Sequence, residues 1–259
     1  MRYEWKYIIP NHLEEQVLKS VAPFVTIDNY AAKTGDDLYT VRSIYFDTPR
    51  LEMFHSKKAH IGHRLKVRIR GYGNGNDDST VFCEIKRKYE GPIVKNRASM
   101  TYGQLKHIFD GSDPDEILPL TYRKDDLSRF FYQIHRKQLQ PIINILYERI
   151  PFHSRVIDKE NNFRLSIDRD WRSVAYPSVD ELFVDRNIVE CLKGHFVLEV
   201  KFNKYCPAWL RAILNEMNFE KVPASKYVIC VESQHQIINQ WQRSHLFTRH
   251  YDTFANSKQ

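Results

Sequence analysis

Basic side chains recur at every second position along several short segments of this chain, and that spacing has a chemical meaning. On a β-strand, residues i and i+2 point to the same face. Over 62–71 the pattern puts Arg64, Lys66, Arg68 and Arg70 on one face and Leu65, Val67 and Ile69 on the other. Over 79–88 Phe82, Glu84, Lys86 and Lys88 oppose Val81, Cys83 and Ile85, and over 93–99 Lys95 aligns with Arg97. Arg149 aligns with Tyr147 over 142–151, Arg164 with Ser166 and Asp168 over 162–168, and Glu199 with Lys201 over 195–203. The first strand, 2–9, carries Arg2, Glu4 and Lys6. Any half-exposed strand alternates in this way, but here the polar positions hold few Ser, Thr or Gln and the charges are mostly basic. Like charges facing one another cost stability, so such a face calls for an anion.

The interspersed acids suit a hard divalent cation that bridges phosphates, Mg²⁺ or Mn²⁺. Glu199 is the first candidate ligand, with Glu84, Glu4 and Asp168 behind it; pairing with neighbouring Arg and Lys is the plainer role for the last three. No HExxH or GxSxG occurs, and Cys83, Cys191, Cys206 and Cys230 form no CxxC. Free thiols in a reducing cytosol are therefore expected.

An eighth strand over 38–47 completes the set that must position these residues. The glycine-rich stretch Gly71-Tyr72-Gly73-Asn74-Gly75 fits no phosphate-loop pattern and reads as a hairpin tip. Helices are expected after an Asn11 cap, after a Thr101/Gln104 capping box, through Leu127, Phe130, Phe131 and Ile134, after Pro207, and from Ser225 to about Trp241. Strands with helices between them, and few crossover signals, give an α+β fold with an antiparallel sheet. An open basic sheet would suit nucleic acid, whereas a closed eight-stranded barrel would enclose its charges around a small polyanion. Closure is the favoured expectation, because the helical stripes need the strands' apolar faces to cover.

The 259 residues include 39 Lys+Arg against 32 Asp+Glu, and hydrophobic residues make up 42%. These values fit one globular domain, expected over 1–245 with a tail over 246–259. The charged first residues do not read as a signal peptide, and no apolar run is long enough to span a membrane.

The order of motifs resembles the VTC (vacuolar transporter chaperone) domain, the polyphosphate polymerase branch of the triphosphate tunnel metalloenzymes. The resemblance is carried by Arg2-Tyr3-Glu4-Trp5-Lys6-Tyr7, Ser43-Ile44-Tyr45-Phe46-Asp47-Thr48, Arg68-Ile69-Arg70, Glu84-Ile85-Lys86 and Val94-Lys95-Asn96-Arg97. It continues through Tyr147-Glu148-Arg149, Phe163-Arg164-Leu165-Ser166-Ile167-Asp168, Leu198-Glu199-Val200-Lys201 and Val222-Pro223-Ala224-Ser225-Lys226-Tyr227. It implies a tunnel of eight antiparallel strands and transfer of the ATP γ-phosphate to a growing polyphosphate chain. The implied acting groups are Lys226, Arg68, Arg70 and Lys86. Lys6, Lys95, Arg97, Arg149, Arg164 and Lys201 would hold phosphate, and Glu199, with Glu84 and Glu4, would hold Mn²⁺ or Mg²⁺. The wider superfamily opens with Glu-x-Glu-x-Lys, and Arg2 here replaces the first Glu. A lysine that some members carry between the Pro and Ser of the last motif is absent, with Ala224 in that place.

A triphosphatase using the same residues, or a non-catalytic polyphosphate-binding module, are the alternatives; nucleic acid is not the expected partner. The resemblance implies a cytoplasmic, stand-alone domain like the family's bacterial members. It leaves open a membrane protein partner that would hold the chain at the membrane's inner face.

Overall fold

The computed structural model describes residues 3–242 except 34, 91, 92, 114, 115, 117–122, 157 and 159. Arg2 and the 246–259 tail lie outside the described residues.

All eight expected strands form, within two or three residues of their expected starts: β1 (Tyr3–Pro10), β3 (Tyr39–Asp47), β4 (Arg64–Tyr72), β5 (Thr80–Lys88), β6 (Ile93–Thr101), β7 (Gln140–Ser154), β8 (Arg164–Ala175) and β10 (His195–Phe202). Two short strands join them, β2 (Val25–Ile27) on β7 and β9 (Val189–Glu190) on β8, so the sheet has ten strands rather than eight. The main order is β1-β10-β8-β7-β3-β4-β5-β6, antiparallel at every step.

The sheet does not close into a barrel. β1 and β6 remain at its two ends, and the link between the walls there is a side-chain one, Lys86 Nζ to Glu4 Oε2 at 4.0 Å. Alternation specifies which face a side chain takes, not how far the sheet curls. Lys86 and Lys95 approach from one wall and Lys6 and Lys201 from the other, and the acids among them, Glu4, Glu84 and Glu199, are taken up in ion pairs with these cations.

The apolar face carries two cores. One packs β3–β7 under α3 (Glu52–Lys58), α4 (Tyr102–Phe109), α5 (Lys124–Lys137) and α7 (Lys226–Ser233), around Phe46, Phe130, Leu127 and Trp171. The other packs β1, β8 and β10 under α1 (Glu14–Val21) and α6 (Ala208–Glu216), around Ile9, Phe196 and Leu210. A four-residue helix, α2 (Asn29–Ala32), follows β2. The capping box at Thr101 and Gln104 forms as expected, with both reciprocal bonds. Asn11 does not cap α1: it opens a 3-10 turn, and its amide donates to the Gly194 carbonyl (2.9 Å). The last helical stretch is broken at Gln234, whose side chain donates to Ser173 O (3.0 Å), and resumes over 235–242 (α8). No described helix is long and apolar enough to cross a membrane. All four cysteines are free.

The glycine-rich hairpin tip has a packing role. A Cβ at Gly71 would lie 2.5 Å from the Phe183 ring, and the same ring blocks a Cβ at Gly75. Gly71→Ala is expected to lower stability by about 1–3 kcal/mol through overpacking. Thermal unfolding measures the loss, and adding Phe183→Leu to the same chain should return most of it.

Candidate functional site: a cation-lined cleft

The charged face of the curled sheet bounds a cleft. Its larger part, about 990 Å³, is lined among others by Glu4, Arg68, Arg70, Glu84, Lys95, Arg149, Arg164, Glu199 and Lys201. A second part of about 390 Å³ shares Arg68, Arg70, Lys86 and Glu199 with the first, and continues to Lys6, Lys57, Arg64, Lys88 and the 222–226 segment. Strand register makes this arrangement. Glu4 faces Lys201 and Lys6 faces Glu199 across β1 and β10; Glu199 faces Ser166 and Lys201 faces Arg164 across β10 and β8. On the other wall, Arg68 faces Glu84, Lys66 faces Lys86, and Lys86 faces Lys95.

Each acid is shared among several cations. Glu199 pairs with Lys201 and lies 3.5 Å from Lys6 Nζ, 3.7 Å from Arg149 Nη2 and 3.9 Å from Lys226 Nζ. Burial raises its pKa, but these cations hold it well below the usual carboxylate range. Glu84 accepts from Arg68 Nε at 2.7 Å and pairs with Lys95 Nζ at 2.6 Å, with Arg97 Nε nearby at 3.3 Å but not hydrogen-bonded to it; against burial, Arg68, Arg70 and Lys95 hold it low as well. Glu4 lies 2.9 Å from Lys6 Nζ, and its pKa falls to about 2: burial and Glu199 raise it, while Lys6, Lys201 and Lys86 outweigh them.

Lys226 enters from the start of α7. The chain before it is tied to β1 by Val222 N donating to Lys6 O (2.8 Å) and Lys6 Nζ donating to Ala224 O (3.1 Å). The Lys226 ammonium pairs with Asp168 and sits 4.5 Å from the centres of both the Tyr147 and Trp171 rings. A bulge in β7 between Leu146 and Glu148 carries Tyr147, and bulges re-aim the side chains they hold. Asp168, fully buried, also accepts two bonds from Arg149, at 2.6 and 2.7 Å.

The cleft therefore brings together Lys6, Arg68, Arg70, Lys86, Lys95, Arg149, Arg164, Lys201, Lys226, Glu4, Glu84 and Glu199. Arg97 is diverted: its guanidinium lies 3.5 Å from the Phe82 ring centre, behind Glu84, and lines neither part of the cleft. Lys66 belongs to the site; the alternation placed it on the basic face with Arg64, Arg68 and Arg70, although the family resemblance gave it no role. Its only bond among the described residues is a 3.4 Å contact to Ser225 Oγ. Tyr45 is a second such residue, accepting from Arg68 Nη1 at 2.8 Å and stacked on Tyr227 at 5.1 Å. Asp47, in the same motif, is structural. It accepts from Tyr227 Oη (2.6 Å) and from the backbone of Thr48, Met53 and Phe54, fixing the entry to α3.

Burial lowers the Lys66 pKa to about 8, with Lys6, Lys86 and Arg68 adding to the fall and Tyr45 opposing it. Burial raises Tyr45, but Arg68, Arg70 and Lys66 bring it down to about 7. Below pH 7 both groups are in the protonated form that favours a bound anion. Affinity for inorganic triphosphate is therefore expected to fall as pH rises from 7 to 9, by about tenfold per unit at most for each linked proton. Calorimetric titration across that range checks this, and Lys66→Arg should flatten the upper part of the profile.

Among the described residues no three His, Cys, Asp or Glu side chains gather as a metal cage. Glu4 and Glu199 are diagonal neighbours on paired strands, close enough for each charge to act on the other. Two carboxylates of this kind fit Mg²⁺ or Mn²⁺, which keep several waters and take phosphate oxygens as further ligands. Glu84 is paired with cations as Glu199 is, but it stands on the opposite wall, where it faces Arg68 and Arg97 across the strands and has no carboxylate beside it among the described residues.

Fold and site together define a protein with an antiparallel sheet curled around a cation-lined cleft. The chain belongs to the VTC domain family, whose model matches residues 1–235. No curated protein matches the chain. Among solved structures, a Hippeastrum protein described as a candidate adenylyl cyclase with a dominant triphosphatase activity is 12% identical, covering 90% of this chain and 96% of its own, at a TM-score of 0.47.

Proposed function

We propose that this protein is a metal-dependent polyphosphate polymerase that transfers the γ-phosphoryl group of ATP to a growing polyphosphate chain in the cleft. The observation that carries this reading is the state of the central cations. Lys66 and Arg70 have no carboxylate ion-pair partner among the described residues, while the neighbouring acids are each divided among several cations. Such a surplus in a half-buried cleft is stabilised by a polyanion. The continuity of the two cavities favours a chain over a single small phosphate, and family membership supports the same substrate class.

In the reaction, a terminal phosphate oxygen of the acceptor bonds to the γ-phosphorus, and the bond to the β–γ bridging oxygen breaks, releasing ADP. Phosphoryl transfer asks mainly for positioning and charge stabilisation. Arg70 is held by Ser43 through Nε (3.0 Å), which leaves its terminal nitrogens for forked contacts, while Arg68 gives Nε and Nη2 to Glu84 and Nη1 to Tyr45 and adds a fixed positive charge. Lys66, Lys86, Lys95 and Lys201 act as point charges along the chain. Arg149 and Lys226 are braced by Asp168 and neutralise charge near Glu199. Glu199, with Glu4, would hold the divalent ion. When bound, that ion supplies Lewis-acid neutralisation of the phosphate oxygens. Glu84 keeps the Arg68 side chain oriented.

The test uses γ-labelled ATP, Mn²⁺ and a short polyphosphate primer. Label in chains that lengthen with time is the expected result. Label released only as free phosphate would overturn the polymerase and indicate a triphosphatase.

A further inference from the structure

The cleft changes chemistry along its axis. On β4 the inward side chains run Lys66, Arg68, Arg70 and then Tyr72, so three cations give way to an aromatic ring. The neighbouring strands do the same at that end: Tyr39 on β3 faces Arg149, and Phe82 on β5 faces Arg70. Tyr39 and Tyr72 both line the larger cavity. Their rings meet edge to face at 5.5 Å, Tyr30 packs edge-on against Tyr39 at 5.1 Å, and Phe82 packs against Tyr72 at 5.9 Å. None of these pairs is stacked face to face, and Tyr30 stays 53% exposed at the rim. Beyond Tyr45 and Tyr147, which line the wall of the second cavity, the cleft turns cationic again. Its opposite end is formed by Lys57, Arg64 and Lys88 beside the 222–226 backbone.

A ligand that fits this sequence is anionic at one end and flat and aromatic at the other. Four residues of extended chain separate Arg68 from Tyr72, about 13 Å, which is the order of reach from the terminal phosphate of a nucleoside triphosphate to its base. We propose that Tyr72, with Tyr39 set edge-on beside it, forms the stacking site for the base of a nucleoside triphosphate whose phosphates run inward over Arg70 and Arg68. The donor then enters by the tyrosine end, and the acceptor chain occupies the Lys57, Arg64 and Lys88 end. The inference rests on the proposed function in taking a nucleotide as the donor.

The test is calorimetric titration of the full chain with ATP and with inorganic triphosphate, each with Mg²⁺. Base–aromatic stacking is sequence-tolerant and strong enough that Tyr72→Ala should weaken ATP binding about tenfold or more. Inorganic triphosphate, which has no base, should bind the same variant within about twofold of the wild type, and Tyr72→Phe should leave both ligands within about twofold. Equal losses for ATP and triphosphate in Tyr72→Ala would overturn the proposal, since the ring would then act through the cleft's shape. Unchanged ATP binding would overturn it as well. A wild type that binds neither ligand would overturn both this inference and the proposed function. A tyrosine-dependent preference for ATP in a protein that makes no chains would remove the polymerase reading alone.

Discussion

Glu199→Gln is expected to abolish metal-dependent turnover, by about 100-fold or more, while leaving the cleft able to bind triphosphate. Glu199 is 5% exposed and lies within 3.9 Å of four cations, Lys6, Lys201, Arg149 and Lys226. Glutamine keeps its shape and one acceptor but removes the charge, so two consequences separate. The site for the divalent ion loses its central carboxylate, and turnover falls. The four cations lose a competing anion, so triphosphate binding without metal should be equal to or tighter than that of the wild type. A variant that had merely unfolded would lose both. Rate measurements with Mn²⁺, paired with triphosphate titration in EDTA, distinguish the cases. Full activity in the variant would end the assignment of Glu199 to the metal.

The largest loss of stability is expected at Asp168. Its carboxylate is fully buried, takes both arms of Arg149 and pairs with Lys226, and burial's upward push on its pKa is overcome by those two cations. Removing one partner of a buried ion pair leaves uncompensated charge and costs about 3–5 kcal/mol. That is a large share of the roughly 5–15 kcal/mol of a typical domain. Denaturant unfolding of Asp168→Ala should show it, and a loss below about 1 kcal/mol would contradict the bracing role. Triphosphate should return part of the lost stability, because it supplies an anion to Arg149 and binds only the folded chain. The pH dependence has a definite sign. A carboxylate whose folded pKa is depressed contributes fully above its unfolded value, about 4, and the contribution fades as pH falls below that through the folded value. In Asp168→Ala this acid-side part of the stability curve should be missing.

The strands and their charged face were legible because alternation is local. Leu65, Val67 and Ile69 against Lys66, Arg68 and Arg70 need only their own neighbours to declare two faces, and the Thr101–Gln104 box closes within three residues. What was not legible depended on distant partners. The openness of the sheet is set by how the β1 and β6 edges meet, which no single strand encodes. β2 and β9, of three and two residues, are too short to show a period. The need for glycine at 71 and 75 comes from Phe183, far along the chain. Arg97 has the right face for the cleft, but Phe82 and Glu84 draw it aside, and only the packed structure reveals that preference. Asn11 has a capping residue's chemistry, yet the chain leaves β1 through Pro10 into a 3-10 turn that moves the helix start to Glu14. Asp168 was visible on the Arg164 face; its bond to Lys226 was not, because the lysine arrives from a helix 58 residues later.

The central claim is that a phosphate chain lies in this cleft, and lysine footprinting tests it most directly. The protein is treated with a lysine-modifying reagent with and without polyphosphate, and each lysine's modification is read by mass spectrometry. The account expects protection at Lys66, Lys86, Lys95 and Lys201, which line the cleft, and none at Lys19 or Lys204, which lie on the outer surface paired with Glu15 and Glu160. Protection spread evenly over cleft and surface lysines, or absent from the cleft, would contradict it.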